Sequence, residues 1–468
     1  LGVKILLVVP VREEKIAYYV TPPLGLGYLA TSLRRAGHEV DILDCIRLRL
    51  DFSGFKEAVR SRQPDLVGFQ TFSSDMISVR RSAEIVKGLR PDIVTVVGGP
   101  HPSGDPAGTM GFLPHVDYAF HGEGEVGLPV FVNYLEGRGK AIGLPENAIP
   151  GLIWRRDSRV ERNPPAFIED LDSLGMPSWD ILRPQDYPPA PHSVIYKSYP
   201  IAPVMITRGC PFPCTFCAAH TINGRKMRRR SVPRVLDEIE LLHTAHGVNE
   251  IQIIDDNFTI DREYVHRFCS GLIERRLTVD WCCPNGVRLD TLDEELLRDM
   301  KRAGAYRIAV GIESGSQRIL DHMKKQQKKE MVREKVALIR KVGLRPHGFF
   351  ILGYPEETVN DIRQTIAFAC ELDLETAGFS LFLPLVGTET YNVLASQGRI
   401  MSDTWGDFIT SRVVYAPEGI TPGQLKRLQR TAFFRFYLRP KYLVRFARSI
   451  SSVQNLKYLA KRALSYLF

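Results

Sequence analysis

The sequence predicts an α/β protein with an N-terminal doubly wound parallel sheet, a partial (β/α)6 barrel and a C-terminal helical tail. Three observations carry this. Over residues 1–140, apolar runs of strand length alternate with amphipathic helical stretches. A second alternation starts near Pro203 and gives six strand–helix repeats by about residue 390. Between them, residues 141–200 are crowded with Pro and aromatics ("RNPPAFIEDLDSLGMPSWDILRPQDYPPAPHS"), which reads as an irregular linker around the junction.

In the first region "VKILLVVPV", "HEVDILD", "PDLVGFQTF", "DIVTVVGGPHPS" and "VDYAFHGEGE" read as strands, the last being the final one. "LGLGYLATSLRRAG", stopping at Gly37, "FSGFKEAVRSRQ" and "SVRRSAEIVKGLRP" read as helices. Ligands of such sheets lie beyond the carboxyl ends of the strands, where "TFSSD" and "VGGPHPSGDP" fall. Gly98 and Gly99 let backbone approach a large ligand there, and His101 follows as a polar contact. In the second region the strands are "PVMIT", "EIQIIDD", "VDWCCPN", "YRIAVGI", "HGFFILG" and "GFSLFLP". The tail occupies 391–468.

Composition bounds the class. The chain has 468 residues, 44% hydrophobic and 25% charged, so it is an ordinary globular protein of two or three domains. No apolar run is long enough to span a bilayer, and the N-terminus runs straight into a strand without a leader pattern. Eight cysteines, including adjacent Cys282 and Cys283, make no disulfide framework and point to a reducing cytoplasm. The net charge of +9 sits in the tail: from Gly419 onward there are eleven Lys and Arg and no Asp or Glu. The basic pI therefore does not argue for nucleic acid, and no base-reading fold is expected. The tail's aromatics favour packing on the barrel over peripheral contact with an anionic membrane.

The chemistry is carried by "RGCPFPCTFCAAH", where Cys210, Cys214 and Cys217 are spaced C-x3-C-x2-C. A structural zinc site wants a fourth Cys or His, usually in a second C-x2-C-like pair, which is missing here, although distant Cys269, Cys282 or Cys283 could supply one. An iron–sulfur cluster held by three thiolates keeps one iron open for another ligand. The cysteine spacing, with Phe216 before the last cysteine at the end of a first barrel strand, resembles the radical S-adenosylmethionine superfamily. That resemblance implies a 4Fe-4S cluster whose open iron binds S-adenosylmethionine, reductive cleavage to a 5′-deoxyadenosyl radical, and hydrogen abstraction from an unactivated C–H bond. It extends to "IQIIDDNFTID", "CPNGVRLD", "AVGIESGSQRIL", "FFILGYPEET" and "LPLVGTETY", and implies that Asp255, Asn257, Arg288, Glu313, Ser314 and Gly353 line the co-substrate. Taken singly, Glu313 reads equally as a helix cap and Asp255 and Asp256 as turn residues. Arg225, Lys226, Arg228, Arg229 and Arg230 read as a solvated basic stretch, or as a carboxylate contact or electron-donor dock.

"PPLGLGYLATSLRRAGHEVDILD", "VGGPHPS" and "DYAFHGEGE" make residues 1–140 similar to the Rossmann-like cobalamin-binding domain of one branch of that superfamily. The loop "VPVREEKIAYYVTPP" lacks the D-x-H-x-x-G of proteins that ligate cobalt through histidine, so any cobalamin is held without a His ligand, and His101 is not promoted to one. The resemblance implies C-methylation of a small-molecule substrate, with a flavodoxin- or ferredoxin-type protein or a dedicated reductase as electron donor. The alternative is a dehydration, epimerisation or cyclisation with a vestigial first domain. Cys282 and Cys283, expected near the third strand's end, are candidate hydrogen donors, although packed thiols fit better.

Overall fold

The computed structural model describes residues 2–12, 20–137, 148–157, 159–189, 196–440 and 442. The loop expected to carry a cobalt-ligating histidine falls partly on residues 13–19, and the tail beyond Tyr442 on 443–468. Both lie outside the described residues.

The first sheet has seven strands in the order β2-β1-β3-β4-β5-β6-β7. They are β1 (Lys4–Val9), β2 (Glu39–Asp44), β3 (Leu66–Gln70), β4 (Val94–Gly98), β5 (Tyr118–Phe120), β6 (Leu152–Arg156) and β7 (Arg159–Arg162). The five expected strands are parallel. Both faces are buried. Leu6, Val8, Val67, Phe69 and Val97 lie in one apolar cluster, while Ile5, Leu7, Val9, Leu66 and Val96 lie in the other. This two-sided burial is why the strands read as continuous apolar runs.

The 141–200 segment departs from the expectation. β6 and β7 form a hairpin that extends the first sheet antiparallel to β5, so β5 is not its last strand. Leu152, Ile153 and Trp154 are buried in succession, Arg155 and Arg156 are exposed, and no residue of β7 is fully buried, which leaves little period-2 signal among the surrounding prolines. The rest of the segment straps the two halves together. Tyr187 donates from its hydroxyl to Asp44 at 3.0 Å, Arg35 Nη1 donates to Ser173 O at 2.7 Å, and the Trp179 indole N–H donates to Glu238 at 2.9 Å.

The second sheet is all parallel, ordered β15-β14-β13-β12-β11-β8. The strands are β8 (Ile201–Val204), β11 (Glu250–Ile253), β12 (Asp280–Val287), β13 (Ala305–Glu313), β14 (Arg345–Leu352) and β15 (Thr376–Leu381). A two-residue antiparallel ladder, β9 (Thr207–Arg208) with β10 (Arg228–Arg229), closes the base of the cysteine loop. Helix Pro422–Tyr437 seals the β15 edge: Leu425, Ala432 and Phe436 are buried, Gln429 donates to Phe379 O at 2.8 Å, and Tyr437 donates to Ala377 O at 2.7 Å. That part of the basic tail therefore packs its apolar stripe on the barrel, as expected. Cys282 lies early in β12, with the Tyr306 hydroxyl 3.6 Å from its sulfur, and Cys283 sits in the barrel core. Neither is at the strand's carboxyl end.

Candidate active site

The cysteine loop leaves the carboxyl end of β8. Cys210, Cys214 and Cys217 are free and half-buried on it, and Cys210 and Cys217 both feel the Cys214 thiol through space. Burial raises all three, Cys217 to about 11, while the Arg288 guanidinium pulls Cys210 and Cys214 back down and Lys325 pulls on Cys214. These thiols need a cationic partner to ionise. Among the described residues, no three His, Cys, Asp or Glu side chains are close enough to hold a single metal ion. A cluster that takes one thiolate per iron does not require that convergence.

The carboxyl ends of the strands supply the surroundings. Asp255 is buried, and its carboxylate accepts from Ile206 N, Thr207 N and Thr207 Oγ1 at 2.7–2.8 Å. Burial lifts it to about 7 against the pull of those donors. Both oxygens accept from the turn that launches the cysteine loop, so Asp255 positions that loop. The acid that faces the thiols is Asp256, whose charge raises both Cys210 and Cys217 and which accepts from Asn223 Nδ2 at 2.9 Å. Asn257 accepts from Arg288 N at 3.4 Å, and its Nδ2 is buried without a partner, a donor free for a ligand. Arg288 grips Asp290 through two nitrogens, donates to Lys325 O at 3.1 Å and lies 3.7 Å over the Phe212 ring.

Glu313 ends β13 at a bulge with φ +67, a left-handed conformation that costs a non-glycine residue energy and is kept where the surroundings enforce it. Its carboxylate pairs with the buried Lys325 ammonium at 2.8 Å. A Cβ at Gly311 would come within 2.4 Å of Glu313 and 2.7 Å of Lys325, so the glycine makes room for the pair. Burial opposes the Lys325 charge, but Glu313 and Cys214 outweigh it and hold the lysine above its ordinary pKa. Phe216 packs beside this pair, its ring centroid 5.9 Å from Lys325 Nζ. Lys325 is invisible in "KKQQKK", where nothing distinguishes it from exposed Lys324.

Ser314 and Gly353 directly follow β13 and β14. Ser314 is fully buried, its hydroxyl 3.1 Å from Thr365 Oγ1 and accepting from Ser316 N, so it braces the turn after β13. Gly353, at φ +86, is needed for packing: a Cβ there would meet Leu425 of the tail helix at 2.7 Å.

In the first domain a cavity of about 260 Å³ opens beyond the carboxyl ends of β1, β3 and β4. Gly68, Gly98, Gly99, Gly122 and Gly124 line it, and Gly99 (φ +116) could not carry a Cβ without pressing on Thr71 backbone at 3.2 Å. Gln70 also lines it, with Oε1 buried and unpartnered. A glycine floor with a stranded acceptor fits a large planar ligand rich in amide donors, which is the chemistry of cobalamin. His101 is not part of this wall. It is fully buried, 2.9 Å from Ser73 Oγ through Nδ1 and edge-on to Trp405 at 4.5 Å, and burial lowers it to about 4.

The basic run after the loop is not uniformly solvated. Lys226 and Arg229 make exposed pairs with Glu169 and Asp261. Arg228 and Arg230 are buried: Arg228 is clamped by Glu123 at 2.7 and 2.9 Å, and Arg230 pairs with Glu238. Arg208, directly before the loop, reaches Glu125 at 2.5 Å and Glu123 at 3.5 Å. Burial opposes the Arg208 charge, and the two carboxylates more than restore it. The signal missed in the sequence is the match between "HGEGE" and the arginines that bracket the cysteines.

Such a molecule belongs to the class of two-cofactor iron–sulfur enzymes: a three-cysteine barrel mouth facing a glycine-lined cleft. More particularly, the chain belongs to the radical S-adenosylmethionine superfamily, in the branch carrying an N-terminal cobalamin-binding domain. The Radical SAM superfamily model matches residues 204–369 and the B12 binding domain model residues 16–132. An uncharacterized methyltransferase of Pyrococcus horikoshii is 33% identical over 94% of both chains. The cytidylyl-2-hydroxyethylphosphonate methyltransferase of Streptomyces wedmorensis is 29% identical over 81% of this chain and 79% of its own. An anaerobic magnesium-protoporphyrin IX monomethyl ester cyclase of Rubrivivax gelatinosus is 28% identical over 90% and 75%. The fold is shared with the radical S-adenosylmethionine methyltransferase TsrM of Kitasatospora setae, solved with cobalamin and a [4Fe-4S] cluster (TM-score 0.72, 18% identity, 92% of this chain and 91% of that one). The two domain models give this chain its cofactors: a 4Fe-4S cluster, S-adenosylmethionine and cobalamin.

Proposed function

We propose that this chain transfers a methyl group from S-adenosylmethionine to a carbon of a small-molecule substrate. One observation carries the reading: Arg208 and Asn223, which belong to the cysteine-loop segment, also line the first-domain cleft. A substrate between the two sites would meet both cofactors. When bound, the cluster and cobalamin supply one-electron reduction and methyl transfer respectively.

The chain's own residues then divide the work. Cys210, Cys214 and Cys217 hold the cluster, and Asp255 fixes the turn from which they spring. Glu313, Lys325 and the free Asn257 amide offer opposite charges and a donor to the amino acid and ribose ends of S-adenosylmethionine. Arg288 lends positive charge to the thiolates. Gly98, Gly99 and Gln70 receive cobalamin without a protein histidine. The vestigial-domain alternative is disfavoured by the glycine floor and the stranded Gln70 acceptor. We place the reaction in a reducing cytoplasm, since all eight cysteines are free, with a flavodoxin- or ferredoxin-type donor approaching the exposed Arg225 side of the loop. Among the described residues no helix is long and apolar enough to cross a membrane.

The test is anaerobic turnover of the reconstituted, reduced protein with methyl-deuterated S-adenosylmethionine and a small-molecule extract. The reading expects S-adenosylhomocysteine and 5′-deoxyadenosine together, with label entering a new product. 5′-Deoxyadenosine without S-adenosylhomocysteine would refute methyl transfer.

A further inference from the structure

The cysteine loop and the cobalamin cleft share two carboxylates. Glu123 and Glu125 flank a single glycine at the start of helix Gly124–Leu135, and both line the cleft. The same pair grips both ends of the cysteine loop. Glu123 receives both Nη atoms of Arg228 (2.7 and 2.9 Å) and the Ile168 amide (2.8 Å). Glu125 receives Arg208 at 2.5 Å. Arg208 and Arg228 face each other in the β9–β10 ladder, with all three cysteines in the loop it closes. Arg228 also donates to Asn223 O at 2.6 Å, and Asn223 holds Asp256 beside the thiols. All four side chains of this quartet are more than nine-tenths buried. Water therefore cannot screen the ion pairs or replace a broken one.

From this geometry we infer that Glu123 and Glu125 are positioning residues that couple the two cofactor sites. Packing a ligand against the cleft face of these carboxylates fixes their other face, which sets the base of the cysteine loop. Ordering the loop around a cluster fixes the arginines, and through them the cleft wall. Each cofactor then binds more tightly when the other is present, by the same factor, because coupling between two binding equilibria is reciprocal. The inference rests on the two cofactor sites and not on methyl transfer, so it stands or falls separately from the proposed reaction.

The experiment is hydroxocobalamin binding to the full-length protein, by equilibrium dialysis, with the cluster loaded and with iron stripped. The expected affinity is at least about fivefold higher in the loaded form. Cobalamin at saturation should slow iron loss to a chelator correspondingly. In Glu123→Gln/Glu125→Gln the ratio should fall to about one, whereas a merely structural role would lower the melting temperature and leave the ratio alone. Should that double variant not fold, Arg228→Lys, which keeps the charge and loses the two-pronged grip, is measured in its place. Equal affinities in the wild type, or a wild-type ratio that survives in the folded variant, would overturn the inference.

Discussion

Replacing Glu123 with glutamine keeps the side chain's shape and removes its charge. Glu123 and Arg228 are almost completely buried, with side-chain exposures of 1% and 2%. In the variant one amide oxygen replaces two carboxylate oxygens, and an NH2 group is set against the donors of Arg228 or the Ile168 amide. Breaking a buried pair by removing one partner costs roughly 3–5 kcal/mol. Arg228 retains Ile168 O and Asn223 O, and Glu125 lies close by on Arg208, so the low end is expected. For a domain of this size about 1 kcal/mol corresponds to roughly 2–4 °C, which places the loss near 6–12 °C. The assay is thermal melting of the full-length protein by circular dichroism, with Arg229→Ala as the control. Arg229 is half exposed and pairs with Asp261, an arrangement worth about 1 kcal/mol or less. If Glu123→Gln melts within about 2 °C of the wild type, or no lower than Arg229→Ala, the argument from buried charge fails.

Other consequences are equally concrete. Changing any of Cys210, Cys214 or Cys217 to alanine should abolish iron and sulfide retention and the cluster's visible absorbance, while far-ultraviolet circular dichroism stays unchanged. Lys325→Met leaves Glu313 buried without its cation; 5′-deoxyadenosine formation should fall on the order of 30-fold, about 2 kcal/mol of lost interaction. Gly353→Ala combines a left-handed backbone with a 2.7 Å approach to Leu425 and should cost about 1–3 kcal/mol in melting experiments. His101 has its folded pKa lowered from 6.5 to about 4, so its contribution to stability is full above about 6.5 and is lost as pH falls toward 4. Melting temperature should therefore drop from pH 7 to pH 5, at about 1.4 kcal/mol per pH unit from this group, and His101→Gln should flatten that slope.

How far the sequence could be read depended on how local each signal was. The ten parallel strands other than the first barrel strand, and that strand too within a few residues, follow from short apolar runs: in "KILLVV" burial on both faces writes itself into consecutive residues, while in β2 and β15 alternate residues are the more buried. The β6–β7 hairpin did not, since its strands are short and half-exposed. The three cysteines were legible because their spacing is fixed within one loop. Asp255, Ser314 and Gly353 were legible as strand-end residues, but their protein partners were not: the backbone amides that Asp255 receives come from residues 48 and 49 positions away. Lys325, Glu123 and Glu125 act through residues 12 to 105 positions away, and nothing adjacent to them in the chain announces those pairs. His101 shows the converse, a histidine read as a loop contact after a glycine pair, which the structure places in the short helix Pro100–Gly104 and turns inward against Trp405.

The central claim is that one chain holds an iron–sulfur cluster and cobalamin in facing sites without a protein histidine on cobalt. The direct measurement is metal analysis of anaerobically reconstituted protein with hydroxocobalamin, followed by electron paramagnetic resonance of the cobalt(II) form. The account predicts about four iron atoms and about one cobalt per chain, with a spectrum unchanged by 15N-histidine labelling. Iron without cobalt, or imidazole nitrogen splitting that shifts with the label, would contradict it.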